Sequence, residues 1–394
     1  MPNTGLFDEI LARGPVRDAV SDRAYLAAML DAEAALAQAQ RRRAIPADAA
    51  AAIAAACDID RYEVAALGAT ARGPGNPVLP LVEALRAAVP PDVVEYVHYG
   101  ATSQDILDTA VMLVAYRASG ALVADLSAAS DAAAGLAREH RDTAMAGRTL
   151  LQQAMPVTFG LKAAGWMTAL DQAADRLASI RRTRLAVQLG GPAGTLDGFG
   201  PSGFDLVERF AAELGLAIPT LPWHSDRTRI AELAGALAAA AGVVAKIARD
   251  VTLLAQTEVA EVSEAAPGRS SAMAHKQNPV AAVSAYACAS QAPGLAATLF
   301  ASMAQEHERA AGGWQAEWRP LRELLTAVGS AAAWIHECLA GLEVHPTALK
   351  ANLDRLAAIA GLSDPAARLG LAGELVDRAL AAHASGNDRH GGNG

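Results

Sequence analysis

Ser270, Lys276 and Asn278 stand in the spacing S-x5-K-x-N within PGRSSAMAHKQNPVAA, residues 267–282. The Gly, Ser and Pro of this stretch mark a loop between two helical patterns, and a plain connection needs none of those three groups. Removing a proton next to a carboxylate creates a doubly charged aci-carboxylate, which an ammonium and an amide donor stabilise as its charge develops. Lys276 and Asn278 supply these two groups. A serine acts as the base only where cations, dipoles and exclusion of water favour its alkoxide, and Ser270 precedes the lysine by six residues. His275 adds a titratable ring to the same loop. A second cluster, HYGATSQDILDTA at 98–110, puts His98, Thr102, Ser103 and Gln104 at the start of an apolar helical pattern. A helix N-terminus favours an anion, so these donors read as a carboxylate pocket. The plainer reading is that Thr102 or Ser103 only caps the helix.

The elements that must position these groups are helices. Aromatic residues make up 4% of the 394 and hydrophobic residues 52%, with Ala and Leu, the strongest helix formers, dominating. Ser21 opens an apolar pattern at helical spacing that ends in three arginines, and ADAAAAIAAAC reads as a second helix. GATARGPGNPVLPLVEAL reads as a loop feeding a short helix. The pattern after residue 98 runs on for more than thirty residues, a length that implies a bundle. Further long helices are expected at about 157–188, 228–263, 279–302 and 320–342. LGGPAGTLDGFGPSG lacks the G-K-[ST] ending of a phosphate-binding loop and reads as a helix connection. The expected class is all-α, divided into an N-terminal helical domain (1–105), a central long-helix bundle (106–342) and a shortened C-terminal helical segment with a disordered tail (343–394).

A formal net charge of -9 argues against a nucleic-acid partner, which needs a basic face. Three cysteines far apart, Cys57, Cys288 and Cys338, suggest neither a disulfide framework nor a zinc site. No His, Cys or carboxylate cluster has ligand spacing, so no metal and no cofactor are expected. Every long apolar run reads as broken by charge, which predicts a soluble, cytoplasmic protein with no membrane partner.

SSAMAHKQNP resembles the S-S-x-M-P-x-K-x-N signature of the fumarase/aspartase superfamily, and HYGATSQDILDTA and GRTLLQQAMPVTFG resemble its other two shared segments. Within it, GNPVLPLVEAL, ATSQD, LPWHSDR and QEHERAAGGWQAEW are most similar to the 3-carboxy-cis,cis-muconate cycloisomerase family. The resemblance implies a central bundle of long helices that assembles into a homotetramer, with each active site drawn from three subunits. It implies a small di- or tricarboxylic acid substrate and an enediolate intermediate, with Ser270 as base, Lys276 and Asn278 as the stabilising pair, Thr102, Ser103 and Gln104 as the carboxylate loop and Arg309 as a substrate-binding cation.

The chain also departs from that pattern. Leu150 and Val283 stand where many of these lyases carry the histidine and glutamate of a proton-donating pair, and Gln153 stands where the cycloisomerases usually have histidine. Glutamine donates a hydrogen bond but no proton, so a leaving group that is already a stable anion is expected. His98 and His275 remain as candidate acids, each read first as an oriented polar contact to substrate, while Ala274 replaces a proline and Gln277 an arginine. After LKANLDRL the similarity jumps to GLSDPAARLGLAGELVDRALAAH, so most of the family's small C-terminal domain is missing. The readings left open are a lactonising cycloisomerase, a substituted-succinate lyase with a small leaving group, and a homologue without activity.

Overall fold

The computed structural model of the protein describes residues 5–273 and 275–391. Short helices α1 (Asp8–Leu11) and α2 (Pro15–Ala19) lead into α3 (Asp22–Gln40), α4 (Ala47–Ala56), α5 (Val64–Thr70) and α6 (Val78–Ala88). The centre comprises α7 (Ser103–Glu139), the strands β1 (Ala144–Thr149) and β2 (Gln152–Thr158), α8 (Phe159–Thr183), α9 (Gly203–Leu214) and α10 (Thr228–Leu254). Then come β3 (Val262–Glu264), α11 (Val280–Ala289), α12 (Ala292–Ala301), α13 (Gly313–Ala340), β4 (Leu342–Val344), α14 (Pro346–Ala360) and α15 (Ala372–Gly391). The all-α class holds, since among the described residues the named strands form two short antiparallel ribbons, β1–β2 and β3–β4. Ser21 caps α3 by accepting from the Ala24 N–H at 3.2 Å, and the Gly-rich stretch lies within the 184–202 connection of α8 to α9.

Three observations orient the bundle. α8 starts where α7 stops, with the Gly160 N–H donating to His140 O at 2.9 Å, and runs back so that Arg181 Nε donates to Tyr116 O at 3.1 Å. α10 begins beside the start of α7, where Arg227 NH1 meets Asp108 Oδ2 at 2.8 Å, and Asp250 near its far end accepts from Trp166 Nε1 at 2.7 Å. α13 begins at that same end, with Trp314 Nε1 donating to Asp108 Oδ1 at 2.9 Å. The bundle therefore has an Asp108 end and a hairpin end. The 37 residues of α7 separate them by about 55 Å at ~1.5 Å per residue.

Several expectations need correction. The helix expected from Val157 begins at Phe159, because 144–158 form a hairpin whose two-residue tip, Leu150–Leu151, has φ of 51° and 65°, the backbone that a tight two-residue turn between strands requires. The helix expected to reach Ser263 stops at Leu254, and 262–264 pair with 342–344. The expected 279–302 helix is two helices. Pro293 in the first turn of α12 has no N–H with which to continue the preceding ladder. The last long helix starts at Gly313 and passes through Pro320. The tail from His383, expected to be disordered, continues α15 to Gly391. His383 is its anchor, with Nδ1 3.0 Å from Asp171 Oδ2 and Nε2 3.0 Å from Asp131 Oδ1, while Val376 is fully buried. Residues 392–394 of that tail lie outside the described residues. Charge does not break every apolar run either: Ser103–Glu139 and Thr228–Leu254 are long and apolar enough to cross a membrane, because their charges are spaced too widely to interrupt an 18-residue span. Those apolar spans are 72% and 56% buried inside the fold.

Gly160 fixes how closely the α7–α8 corner closes. A Cβ there would lie 2.7 Å from Ala137 O, His140 O and Arg141 Cα, all backbone atoms that cannot swing aside. Gly160→Ala is expected to destabilise by about 1–3 kcal/mol, the usual cost of overpacking. The check is a lower denaturant midpoint at unchanged slope.

Candidate active site

At the Asp108 end, the first turn of α7 is built around a buried carboxylate. Asp105 accepts from the Thr102 N–H at 3.1 Å, from Gly190 and Gly191 N–H at 2.9 Å each, and sits 2.7 Å from His224 Nε2. The anion that this helix N-terminus receives is thus the chain's own Asp105, which also completes a capping box with Thr102. Thr102 and Ser103 remain half-exposed, whereas Gln104 is buried at 1%. Its amide is fully engaged: Nε2 donates to His224 O at 2.7 Å and Asp108 Oδ2 at 3.1 Å, and Oε1 accepts from Arg309 NH1 at 3.3 Å. This corrects the expectation that Gln104 offers its donors to a ligand. Its helical position directs the side chain inward, where it holds Arg309.

Arg309 carries a charge that meets no carboxylate among the described residues. Its other partners are the carbonyls of Gly191 and Pro192, both at 2.9 Å. Its position is set from below by a buried group: Arg227 donates to Asp108 on one side and to Glu317 Oε2 at 2.7 Å on the other, and Gln305 Nε2 reaches Glu317 Oε1 at 3.0 Å. Burial pushes the Glu317 carboxyl above its usual range despite the Arg227 contact. His98, at φ 62°, places Nδ1 2.6 Å from Glu33 Oε1. Burial alone would lower the imidazole pKa, but the Glu33 charge and hydrogen bond outweigh it and the pKa is raised.

At the hairpin end the loop after β3 carries the second set. Gly268 and Asn278 exchange backbone hydrogen bonds at 2.8 and 3.2 Å, closing the loop at its base. Glu264 anchors it by accepting from the Ala281 and Ala282 N–H groups at 3.0 and 2.8 Å, so the first turn of α11 is capped from β3. Within the loop, Ser270 Oγ accepts from the Met273 N–H at 3.2 Å and, more weakly, from the Ala272 N–H at 3.4 Å. Two N–H dipoles aimed at one hydroxyl oxygen favour its anion. His275, Lys276 and Gln277 are exposed. His275, Lys276 and Asn278 border a cavity of about 830 Å³ together with Met273, Glu343 and His345. Ala274 lies outside the described residues. Gln153 is half-buried on β2 opposite Arg148, and Val283 is 52% exposed on α11.

The chain therefore gathers His98, Thr102, Ser103, Gln104 and Arg309 at one end and Gln153, Ser270, His275, Lys276 and Asn278 at the other. It does not bring the two groups together. The sequence reading missed the supports Asp105, Asp108, His224, Arg227 and Glu317. The available signal was two aspartates three residues apart in an otherwise apolar helix, since a carboxylate is almost never fully buried unless paired.

A protein-family model described as Lyase matches residues 11–294. The chain is 49% identical over 356 residues to a 3-carboxy-cis,cis-muconate cycloisomerase of Bradyrhizobium diazoefficiens, covering 89% of this chain and 79% of that protein. It is 48% identical over 367 residues to nitrosuccinate lyase of Streptomyces davaonensis, covering 89% and 77%. The fold matches the crystal structure of a 3-carboxy-cis,cis-muconate lactonizing enzyme from Pseudomonas putida with a TM-score of 0.89 and 36% identity, over 97% of this chain and 99% of that one.

The His98–Glu33 contact makes stability depend on pH. A raised folded-state pKa means that its contribution is complete below the ordinary value of 6.5 and disappears as pH rises through the folded value. His98→Gln is expected to lose about 1.5–3 kcal/mol at acid pH, the range for a hydrogen bond to a charged group. The loss should shrink in alkali, and unfolding midpoints compared at about pH 6 and about pH 9 test this. An equal loss at both would remove the imidazolium from the account.

Proposed function

The chain belongs to the Lyase family of the fumarase/aspartase superfamily and is an enzyme of it, and from that premise we propose that it is a cycloisomerase of the 3-carboxy-cis,cis-muconate type. In the lactonising direction a substrate carboxylate oxygen bonds to one carbon of a double bond conjugated with a second carboxylate. The displaced electron pair moves into that second carboxylate as an enediolate. Lys276 and Asn278 hold its charge, and Ser270 delivers a proton to the adjacent carbon. Run backward, the Ser270 alkoxide removes that proton and the carbon–oxygen bond breaks.

The observation that carries this reading is the loop at 267–282. Ser270 Oγ sits in a pair of backbone N–H groups, and Lys276 and Asn278 border the same large cavity. Gln153 supports a second reading, a substituted-succinate lyase whose small leaving group departs as an anion, since the hairpin supplies no proton there. An ultraviolet assay with carboxymuconate and nitrosuccinate in parallel separates the two readings. On the true substrate Ser270→Ala is expected to lower kcat by at least about 10² with little change in binding. Lys276→Ala should damage both terms, because the ammonium meets a carboxylate before and during reaction. Near wild-type turnover of Ser270→Ala would move the base elsewhere.

The two halves of the site lie about 40 Å apart, the length of the 27 residues of α10 at ~1.5 Å per residue, so this reading requires more than one chain, and we take the assembly to be a homotetramer in which the Asp108 end of one chain meets the hairpin end of another. Its support is a set of exposed apolar side chains on α11, α12 and the hairpin tip. Val283 and Tyr286 on α11 are 52% and 41% exposed, Phe300 on α12 is 47% exposed, and the hairpin tip exposes Leu150 at 97% and Leu151 at 71%. The central bundle, 106–342, would supply that interface. Light scattering should give a tetramer, and co-refolding Arg309→Ala with Lys276→Ala should restore activity that neither variant has alone. A fully active monomer would overturn the shared site.

A further inference from the structure

A second cavity, of about 340 Å³, lies between β1, α8 and the end of α10 and borders Gln256, which also lines the lysine-loop cavity. Its walls include Leu151, Leu253, Leu254 and Val259. Three charged side chains face it, and two of them are already neutralised. Arg148 binds Glu261 through both terminal nitrogens at 2.8 Å. Asp250 is paired with Lys246 and also receives Trp166 Nε1. The third, Lys162, is only partly exposed, yet it makes no hydrogen bond and no ion pair among the described residues. Burial, with Lys246 and Arg148 nearby, lowers its pKa, and Asp250 and Glu261 only partly oppose this.

A desolvated ammonium without a partner is costly, and here it closes one side of an aliphatic cavity of ligand size. We propose that this cavity binds a small organic monocarboxylate, with its carboxylate on Lys162 and its apolar part against the leucines. The single uncompensated charge sets the ligand at one negative charge, and the aliphatic walls favour an organic acid over an inorganic oxyanion. The site stands apart from the reaction proposed above, since it uses neither Ser270 nor Lys276.

The test is calorimetric titration of full-length Lys276→Gln, which lacks the loop ammonium, with benzoate and separately with inorganic phosphate. Benzoate is expected to saturate at one site per chain and to bind at least tenfold more weakly when Lys162→Met is added. Binding should weaken as pH rises, because the ammonium form is the one that binds. Lys162→Met should keep or raise the unfolding midpoint of the ligand-free protein, since it removes a buried charge. Absence of saturable benzoate binding, equal affinity with and without Lys162, or phosphate binding as tight as benzoate would each overturn the assignment. So would a fall in the midpoint of Lys162→Met, which would give the ammonium a structural partner instead.

Discussion

The guanidinium of Arg227, 1% exposed between Asp108 and Glu317, is the contact on which the rest of the structure depends. Its three members come from the second turns of α7 and α13 and from the residue before α10, so one ion group joins three long helices at a single level. Desolvation makes such a group a poor source of net stability, and its best-attested role is to select one arrangement among several. That role matters in this chain. Helices surfaced largely by Ala and Leu can slide past one another by a turn, about 5.4 Å, with little change in apolar burial. A shifted register would leave Asp108 or Glu317 buried without its cation, a loss of roughly 3–5 kcal/mol.

From this fixed level the order of the site decreases outward. Gln104 hangs from Asp108, Arg309 from Gln104, and Gln305 from Glu317. The guanidinium expected to meet substrate is thus positioned by a chain of hydrogen bonds that ends in the buried ion group. The hairpin end is built differently. Glu264 and the Gly268–Asn278 exchange fix Asn278, while Lys276 and His275 extend into open space with few restraints. Binding loops are drawn from the less stable parts of a fold. Here the two extremes sit at opposite ends of the same helices, so a shared site would pair the rigid end of one chain with the adaptable end of another.

Much of this was legible in the sequence because its causes are local. The 3.6-residue period marked the long helices, Ser21 marked the start of α3, and S-x5-K-x-N marked the loop beside the large cavity. What escaped depends on contacts distant in sequence. The hairpin has only a short alternating signal, Pro156 within it and leucines at a tip that requires positive φ. Gln104 looked like a free donor because spacing cannot say which face of a first turn points inward. The tail of α15 has a disordered composition and becomes a helix through His383 and its two aspartates, more than 200 residues away.

The hairpin also constrains the chemistry. Its ionisable side chain is Arg148, which is bound to Glu261, and Leu150 and Gln153 carry no transferable proton. Whichever site this tip reaches therefore gains a hydrogen-bond donor and an apolar surface, but no general acid. At neutral pH an amine or hydroxide leaving group requires protonation, whereas a carboxylate or another stable anion does not. On the proposed reading both the cyclisation and its reverse move a carboxylate oxygen, so the proton exchanged at carbon through Ser270 is the only one the cycle needs. The replacement of histidine by Gln153 is then consistent with an active enzyme, because a charged imidazolium there would stabilise a leaving group that is already stable as an anion.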